Sequence, residues 1–240
     1  MFEVAKLSPE DIKRCLNTVS SNTFYMMVAN AILSKESLSV VRMGDGEKSL
    51  MDKCEGILPA PTDRDIEDGN WMETLGCSGI TDEALYSRLQ NAANECTWFA
   101  PSISGIGRKE YNLYKRFAPR DRYIDNFWCN AWTDEMKINL YKAAMHILFI
   151  HRNPLSFAAL KVRAKKIGVE ASYIQLDNWR ESEDVIDQAS KIDAPLVLFS
   201  AGPASKYIGH RISVGGNIPK VALDLGNSSD EWLLYCLHKK

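Results

Sequence analysis

The chain has 240 residues, 45% of them apolar and 25% charged, which is ordinary for a globular protein and long enough to bury a substantial core. Its 29 basic and 31 acidic side chains leave a net charge of −2, excluding a global field that would draw it to nucleic acid or an anionic membrane. Apolar runs such as Ile147–Ile150 fall far short of the roughly 20 residues that span a bilayer, and Met1–Lys6 has no secretory pattern, so a cytoplasmic protein with no membrane span is expected. Six cysteines, at 15, 54, 77, 96, 129 and 236, form no Cys-x-x-Cys pair, and the histidines do not cluster. Neither a zinc site nor a disulfide framework is indicated.

Ser8-Pro9-Glu10-Asp11 opens a helix, with a capping serine, proline at the first helical position and acids in the first turn. That helix is expected to run into the mid-twenties, and a second piece, Tyr25–Leu33, leads to a strand over Ser39–Met43. The strand ends abruptly in Gly44-Asp45-Gly46-Glu47. Glycines there let a bulky ligand come close, and two carboxylates offer the hard oxygens that suit a divalent cation bound with phosphates. Asp-Gly also signals a tight hairpin, with 40–43 and 48–51 as its arms. The second arm lacks β-branched residues and reads as a first helical turn, which favours a strand-loop-helix corner.

Residues 57–80, rich in Pro, Gly and Asp and including Trp71, read as a long loop, either a carrier of substrate contacts or a surface excursion. Thr81-Asp82-Glu83 caps a helix in which Leu85, Leu89 and Ala92 recur at helical spacing, and Thr97–Ala100 reads as a strand stopped by Pro101. Between 108 and 123, Arg108, Lys109, Lys115, Arg116, Arg120 and Arg122 alternate with Tyr111, Tyr114, Phe117 and Tyr123, while Lys161, Arg163, Lys165 and Lys166 form a second basic cluster. Such runs either hold nucleic acid or form the solvated face of an amphipathic helix, and the second reading is favoured. Trp128 and Trp132, near Asn126 and Asn130, offer a sugar-stacking platform as an alternative.

From His146 onward the pattern is regular. Strands are expected at His146–Ile150, Ala171–Gln175, Leu196–Ser200 and Lys220–Leu223, and helices at Leu155–Ile167, Ser182–Ile192, Pro203–Arg211 and Glu231–Leu237. This alternation implies an α/β, Rossmann-like fold: a mainly parallel sheet with helices on both faces. Residues 1–240 are read as a single domain, with a helical segment at about 8–34 and an α/β core from about 35 to 240. Ligands of such sheets bind beyond the carboxyl ends of the strands. Three strand ends are chemically loaded: Gly44–Glu47, His151-Arg152-Asn153-Pro154, and Ala201-Gly202-Pro203-Ala204-Ser205-Lys206. The last is either a phosphate cradle at a helix N-terminus, with Lys206 beside it, or an ordinary strand-to-helix turn.

Three ordered segments, Val-Val-Arg-Met-Gly-Asp-Gly-Glu at 40–47, Leu-Val-Leu-Phe-Ser-Ala-Gly-Pro-Ala-Ser-Lys at 196–206, and Ala-Leu-Asp-Leu-Gly at 222–226 followed by Glu231-Trp232, resemble the glycosyltransferases with the GT-D fold. Those enzymes carry an Arg-x-Gly-Asp-Gly-Glu corner, a Gly-Pro-Thr-Ala-Lys-like loop and an Asp-Ile-Gly-His segment ending near Glu-Trp. Coverage is roughly residues 35 to 235. The resemblance implies a nucleotide-sugar donor, typically a UDP-sugar, held through Mn²⁺ or Mg²⁺ by Asp45 and Glu47. It departs from the family at Ala204, where the family has Thr, and at Asn227, where it has His.

A metal-dependent transferase moving that sugar to a hydroxyl acceptor is therefore expected, the acceptor being a glycan, a glycoprotein or a hydroxymethylated DNA base. Arg42 either pairs with one of the carboxylates or reaches the diphosphate, Arg152 offers a forked phosphate contact, and Gly44 and Gly46 permit close approach. On that resemblance Gly202, Ser205 and Lys206 are expected to bind the distal phosphate or the sugar edge. An inverting reaction needs a carboxylate base, for which Asp224 ranks first among Asp224, Asp230 and Glu231. Two other readings stand beside this one: a Rossmann-type S-adenosylmethionine-dependent methyltransferase, since 40–47 also resembles a degenerate glycine-rich loop, and a non-catalytic nucleic-acid-binding module built on the basic-aromatic segment. Oligomerisation is left open.

Overall fold

The computed structural model describes residues 8–57, 82–103, 109–229 and Trp232. Its centre is a six-stranded sheet in the order β3-β2-β8-β7-β5-β6. The strands are β2 (Leu38–Arg42), β3 (Trp98–Ala100), β5 (His146–His151), β6 (Glu170–Gln175), β7 (Leu196–Ser200) and β8 (Val221–Asp224). Every pairing is parallel. A two-residue pair, β1 (Thr18–Val19) with β4 (Tyr123–Ile124), forms a separate parallel ladder.

Alternation along the strands divides the apolar side chains between two cores. Val41, Leu148, Ile150, Val197, Phe199 and Ala222 face the helices Asp82–Glu95, Ser182–Lys191 and Pro203–Val214. Val40, Ile147, Phe149, Leu198 and Leu223 face the helices Ser21–Ser34, Asp134–Ala144 and Pro154–Lys166. Continuous burial of β2 and β7 thus reflects two covered faces. Helix and sheet pack closely at Gly209, where a Cβ would penetrate the Phe199 ring, 2.5 Å from Cε1 and nearer still to Cζ.

The first helix differs from expectation. Ser8 and Asp11 form a reciprocal capping box, but the helix ends at Leu16 rather than in the mid-twenties. Thr18 and Val19 then pair with Tyr123 and Ile124, and Ser20 caps a new helix, Ser21–Ser34, by accepting from Thr23 N at 3.1 Å. Phe24 and Val28 on that helix are fully buried, so it is part of the second core and not an appendage.

The basic-aromatic segment is not a long amphipathic helix. Lys109–Arg116 is a 3₁₀ turn, and Leu113, Tyr114, Phe117 and Tyr123 are buried. Arg120 donates to the Ala93, Asn94, Cys96 and Thr97 carbonyls, satisfying the end of the Asp82–Glu95 helix. Trp128 and Trp132 are likewise buried, packed with Phe24 and Trp232, so the surface platform is corrected to a core aromatic cluster. The 58–81 stretch, with Trp71, lies outside the described residues, as does the expected helix after Glu231 apart from Trp232. Among the described residues no helix is long and apolar enough to cross a membrane.

Candidate functional site

The last strand of the sheet, β8, is inserted between β2 and β7, which brings the carboxyl ends of β2, β8 and β7 side by side. Asp224, the final residue of β8, is 0% exposed. Its Oδ2 accepts from the Arg42 backbone N–H at 2.9 Å and from Lys206 Nζ at 2.6 Å, and its Oδ1 accepts from Gly226 N at 3.1 Å. One carboxylate therefore ties together the end of β2, the Pro203–Val214 helix and the turn that follows its own strand.

Lys206 is 4% exposed, and its Nζ also lies 3.6 Å from Glu47 Oε1. Burial alone would lower its pKa, but the Asp224 and Glu47 carboxylates outweigh that and hold it above the ordinary 10.5. Glu47 occupies the third position of the Asp45–Cys54 helix, and its Oε2 accepts from Gly44 N at 2.9 Å, the reciprocal half of a capping box. The acid that the sequence offers as a metal ligand is thus also a helix cap and an ion-pair partner.

Arg42 points to the opposite face of the sheet, as alternation along β2 requires. Its Nε donates to Asn126 Oδ1 at 2.7 Å and its Nη1 to the Leu225 carbonyl, while Asn126 N donates to the Pro101 carbonyl at 2.9 Å. Of the two partners expected for this guanidinium, the site carboxylate is not the one its hydrogen bonds show. Gly226 has φ +48°, and a Cβ there would stand 3.2 Å from Arg42 Nη1, so the turn after β8 needs glycine both for its backbone and for close approach.

The loop after β7 enters its helix through Gly202 at φ +68°, with no side-chain cap and with Pro203 at the first position. Ser205 Oγ donates to the Gly202 carbonyl at 2.6 Å, and Ala204 is packed in the core. Ser200 Oγ reaches across to the Gly226 carbonyl at 2.6 Å. Arg152 is half-buried at the end of β5, two strands from β8, and is followed by Asn153, which caps the next helix by accepting from Leu155 N at 2.9 Å.

The structure thus brings together Arg42, Gly44, Glu47, Lys206 and Asp224, with Gly202 and Ser205 on the adjoining turn. Arg152 stands apart. Gly46 lies in the first turn of the corner helix, with nothing within 4 Å of where a Cβ would be. The Asp45 side chain, the Asn227 side chain and Glu231 lie outside the described residues, as does Asp230. Among the described residues no three His, Cys, Asp or Glu side chains converge as a metal-ligand set. Asn126 entered the sequence reading only as a neighbour of Trp128 and Trp132; its bond to Arg42 was not legible, because 84 residues separate the two and no motif links them.

The profile of the GT-D fold-like domain family matches residues 19–232. The chain belongs to this family. Comparison with curated proteins and with solved structures returns no match. The GT-D-like assignment fits the six parallel strands and gives the chain a glycosyltransferase-type, Rossmann-like fold. The Arg42–Glu47 corner, the Gly202–Lys206 loop and the Asp224–Gly226 turn lie at the carboxyl ends of the neighbouring strands β2, β7 and β8.

Proposed function

We propose that this GT-D-like chain is a glycosyltransferase that moves a sugar from a nucleoside diphosphate sugar, a UDP-sugar on the family resemblance, to a hydroxyl acceptor. The observation that carries the reading is the buried Asp224–Lys206–Glu47 chain at the strand ends of a glycosyltransferase-type fold. In such a transfer two phosphates leave as the anomeric carbon gains cationic character, so fixed positive charge beside the diphosphate lowers the barrier. Lys206, paired with Asp224 and Glu47, holds Glu47 in place, and a cation bound at the corner would supply that charge. At the start of the Pro203–Val214 helix Pro203 has no N–H and Ser205 N–H donates to the Gly202 carbonyl at 3.1 Å, so the Ala204 N–H and the helix dipole are what this end offers an anion. Open space at Gly46 lets a diphosphate approach the corner.

Asp45 and Glu47 carry hard oxygens of the kind Mg²⁺ and Mn²⁺ select, so a divalent ion fits the donor chemistry of this corner. Asp45 and Glu47 would hold such an ion beside the diphosphate, where it would supply Lewis-acid stabilisation of the leaving group. Asp224 is assigned to positioning and not to proton transfer, because both its oxygens are taken up by N–H donors and an ammonium and none of it meets solvent. The base role passes to Glu231, just beyond the Gly226–Ser228 turn. Burial of Tyr114, Phe117 and Tyr123 removes those rings as base-stacking surfaces, which favours a glycan or glycoprotein acceptor over hydroxymethylated DNA.

The test is incubation of the protein with a panel of nucleotide sugars and Mn²⁺, with glycan and hydroxymethylcytosine DNA acceptors in parallel. The expected result is release of the nucleoside diphosphate with a mass gain on one acceptor, both abolished by a chelator. No turnover and no thermal stabilisation with any nucleotide sugar would overturn the reading.

A further inference from the structure

We infer that Asn126 is a nucleotide-contacting residue of this site, its Nδ2 amide group donating a hydrogen bond to a diphosphate oxygen beside Gly44; the inference rests on the glycosyl-transfer reading above. Asn126 lies just beyond β4 and is 6% exposed. Its own N–H donates to the Pro101 carbonyl at 2.9 Å, and the preceding carboxylate, Asp125, accepts from Ile103 N at 3.1 Å and from Phe127 N at 2.9 Å. The main chain on both sides of Asn126 is therefore held in place before any ligand arrives.

Arg42 fixes which way the amide is turned. A guanidinium nitrogen only donates, so the atom that faces Arg42 Nε at 2.7 Å is Oδ1, and the two N–H groups sit on the other branch of the side chain. Nδ2 has no hydrogen-bond partner among the described residues. An amide N–H left without a partner in so buried a residue carries a desolvation cost, which an oxygen acceptor in the site would remove. The positive charge on Oδ1 also polarises the amide and strengthens its N–H groups as donors.

Gly44 opens the space that this donor borders. A Cβ on that glycine would stand 4.0 Å from Asn126 Nδ2 and 3.6 Å from Glu47 Oε2. One gap at the Arg42–Glu47 corner is thus lined both by an amide donor and by an acid whose oxygens suit a divalent cation. A diphosphate seated there would share the cation with Glu47 and accept from Nδ2. Lys206 is committed to Asp224 and Glu47, so the neutral amide, not the ammonium, is the group at this corner with hydrogen-bonding capacity to spare.

The test compares wild type with Asn126→Asp, which keeps an oxygen for Arg42 Nε and removes the Nδ2 donor, and with Gly44→Ala, whose methyl meets its neighbours at ordinary contact distance yet fills the gap without adding charge. UDP affinity with Mg²⁺ is measured by calorimetry, and thermal melts report folding. The side-chain amide resonances of Asn126, assigned by their loss in Asn126→Asp, are followed as UDP and Mg²⁺ are added to the wild type. Both variants are expected to melt close to wild type and to bind UDP about tenfold more weakly or worse, with the wild-type amide resonances moving on titration. That movement is a readout that a merely structural asparagine would not give, and it decides the question even if a variant fails to fold. Wild-type UDP affinity in either variant, or amide resonances that UDP leaves unchanged, would overturn the role of Asn126 alone; resonances that move with UDP-sugars but not with UDP would overturn the diphosphate as its partner. Failure of the wild type to bind UDP or any other nucleoside diphosphate would overturn both this inference and the glycosyl-transfer reading.

Discussion

Lys206 Nζ stands 2.6 Å from Asp224 Oδ2, and both side chains are shut away from water, at 4% and 0% exposure. A buried pair of this kind is costly to break from one side, because the remaining charge has lost its partner without regaining its hydration. Asp224→Ala is expected to destabilise the protein by about 3–5 kcal/mol in urea denaturation, and Lys206→Met with Asp224→Ala together by less than the sum of the single changes. Additive single effects would show that the two groups do not act as a pair. Because the folded pKa of Lys206 is raised, this stabilisation is fully present below pH 10.5 and is lost only as pH rises through the still higher folded value.

His210 titrates in the other direction. Its Nδ1 lies 3.4 Å from Ser39 Oγ and its Nε2 3.5 Å from Glu95, and burial lowers its pKa below 6.5, with Glu95 opposing and Arg211 and Arg120 reinforcing the shift. The neutral ring is therefore favoured in the folded state. Stability should be full above pH 6.5 and fall as pH drops through the lowered folded value. His210→Gln is expected to flatten the melting-temperature profile over that acidic window, and a profile identical to wild type would refute the assignment.

Gly209 inverts the usual helix rule. Glycine to alanine inside a helix ordinarily stabilises by about 1 kcal/mol. Here the added methyl would enter the Phe199 ring, so Gly209→Ala should destabilise by about 1–3 kcal/mol. Gly209→Ala with Phe199→Leu should recover part of that loss, and chemical denaturation of the three variants checks both statements.

Arg42 reads Asn126 and the Leu225 carbonyl with different nitrogens of one planar group. A lysine has a single terminal nitrogen and cannot reproduce the fork. Arg42→Lys should cost about 1–3 kcal/mol of stability, and Asn126→Ala should mimic much of the change. Retained stability in both would mean that the guanidinium does not hold the turn.

The acidic corner is tested with metal and nucleotide together. UDP with Mn²⁺, at roughly a hundredfold over its dissociation constant, should raise the wild-type melting temperature by about 5–10 °C. Asp45→Asn and Glu47→Gln should lose the Mn²⁺-dependent part of the shift. An equal shift in the presence of chelator would remove the metal from the proposal.

Much of this arrangement was legible in the residues themselves. The abrupt passage from Val40-Val41 to Gly44-Asp45-Gly46-Glu47 marked a strand-to-helix corner, because apolar β-branched residues stop where glycines and acids begin. The strand-helix alternation from His146 to the strand ending at Asp224 matched the observed elements to within about three residues at each end, while the expected helix over 231–237 lies outside the described residues. What local pattern could not convey was partnership at a distance. Asp224 read as an available base because its burial is produced by Arg42, 182 residues away, and by Lys206 on another helix. Arg120 read as part of a charged surface because its role depends on carbonyls released at the end of a helix some 25 residues earlier. Trp128 and Trp132 read as a platform because aromatic pairs look the same in sequence whether they stack on a sugar or on Phe24.

The place of β8 has a consequence for how the protein comes into being. Leu38 and Val221 are neighbours in the sheet, so β8, the last of the described strands, lies between β2, far earlier in the sequence, and β7, shortly before it. Until it arrives, β2 and β7 each present an unpaired edge, and the charged cluster has no Asp224 to organise it. A chain from which β8 has not yet emerged therefore holds the 40–47 and 196–206 segments without the 222–226 segment, and their juxtaposition waits on that pairing. Such reliance on a remote pairing also points to slow, chaperone-sensitive maturation.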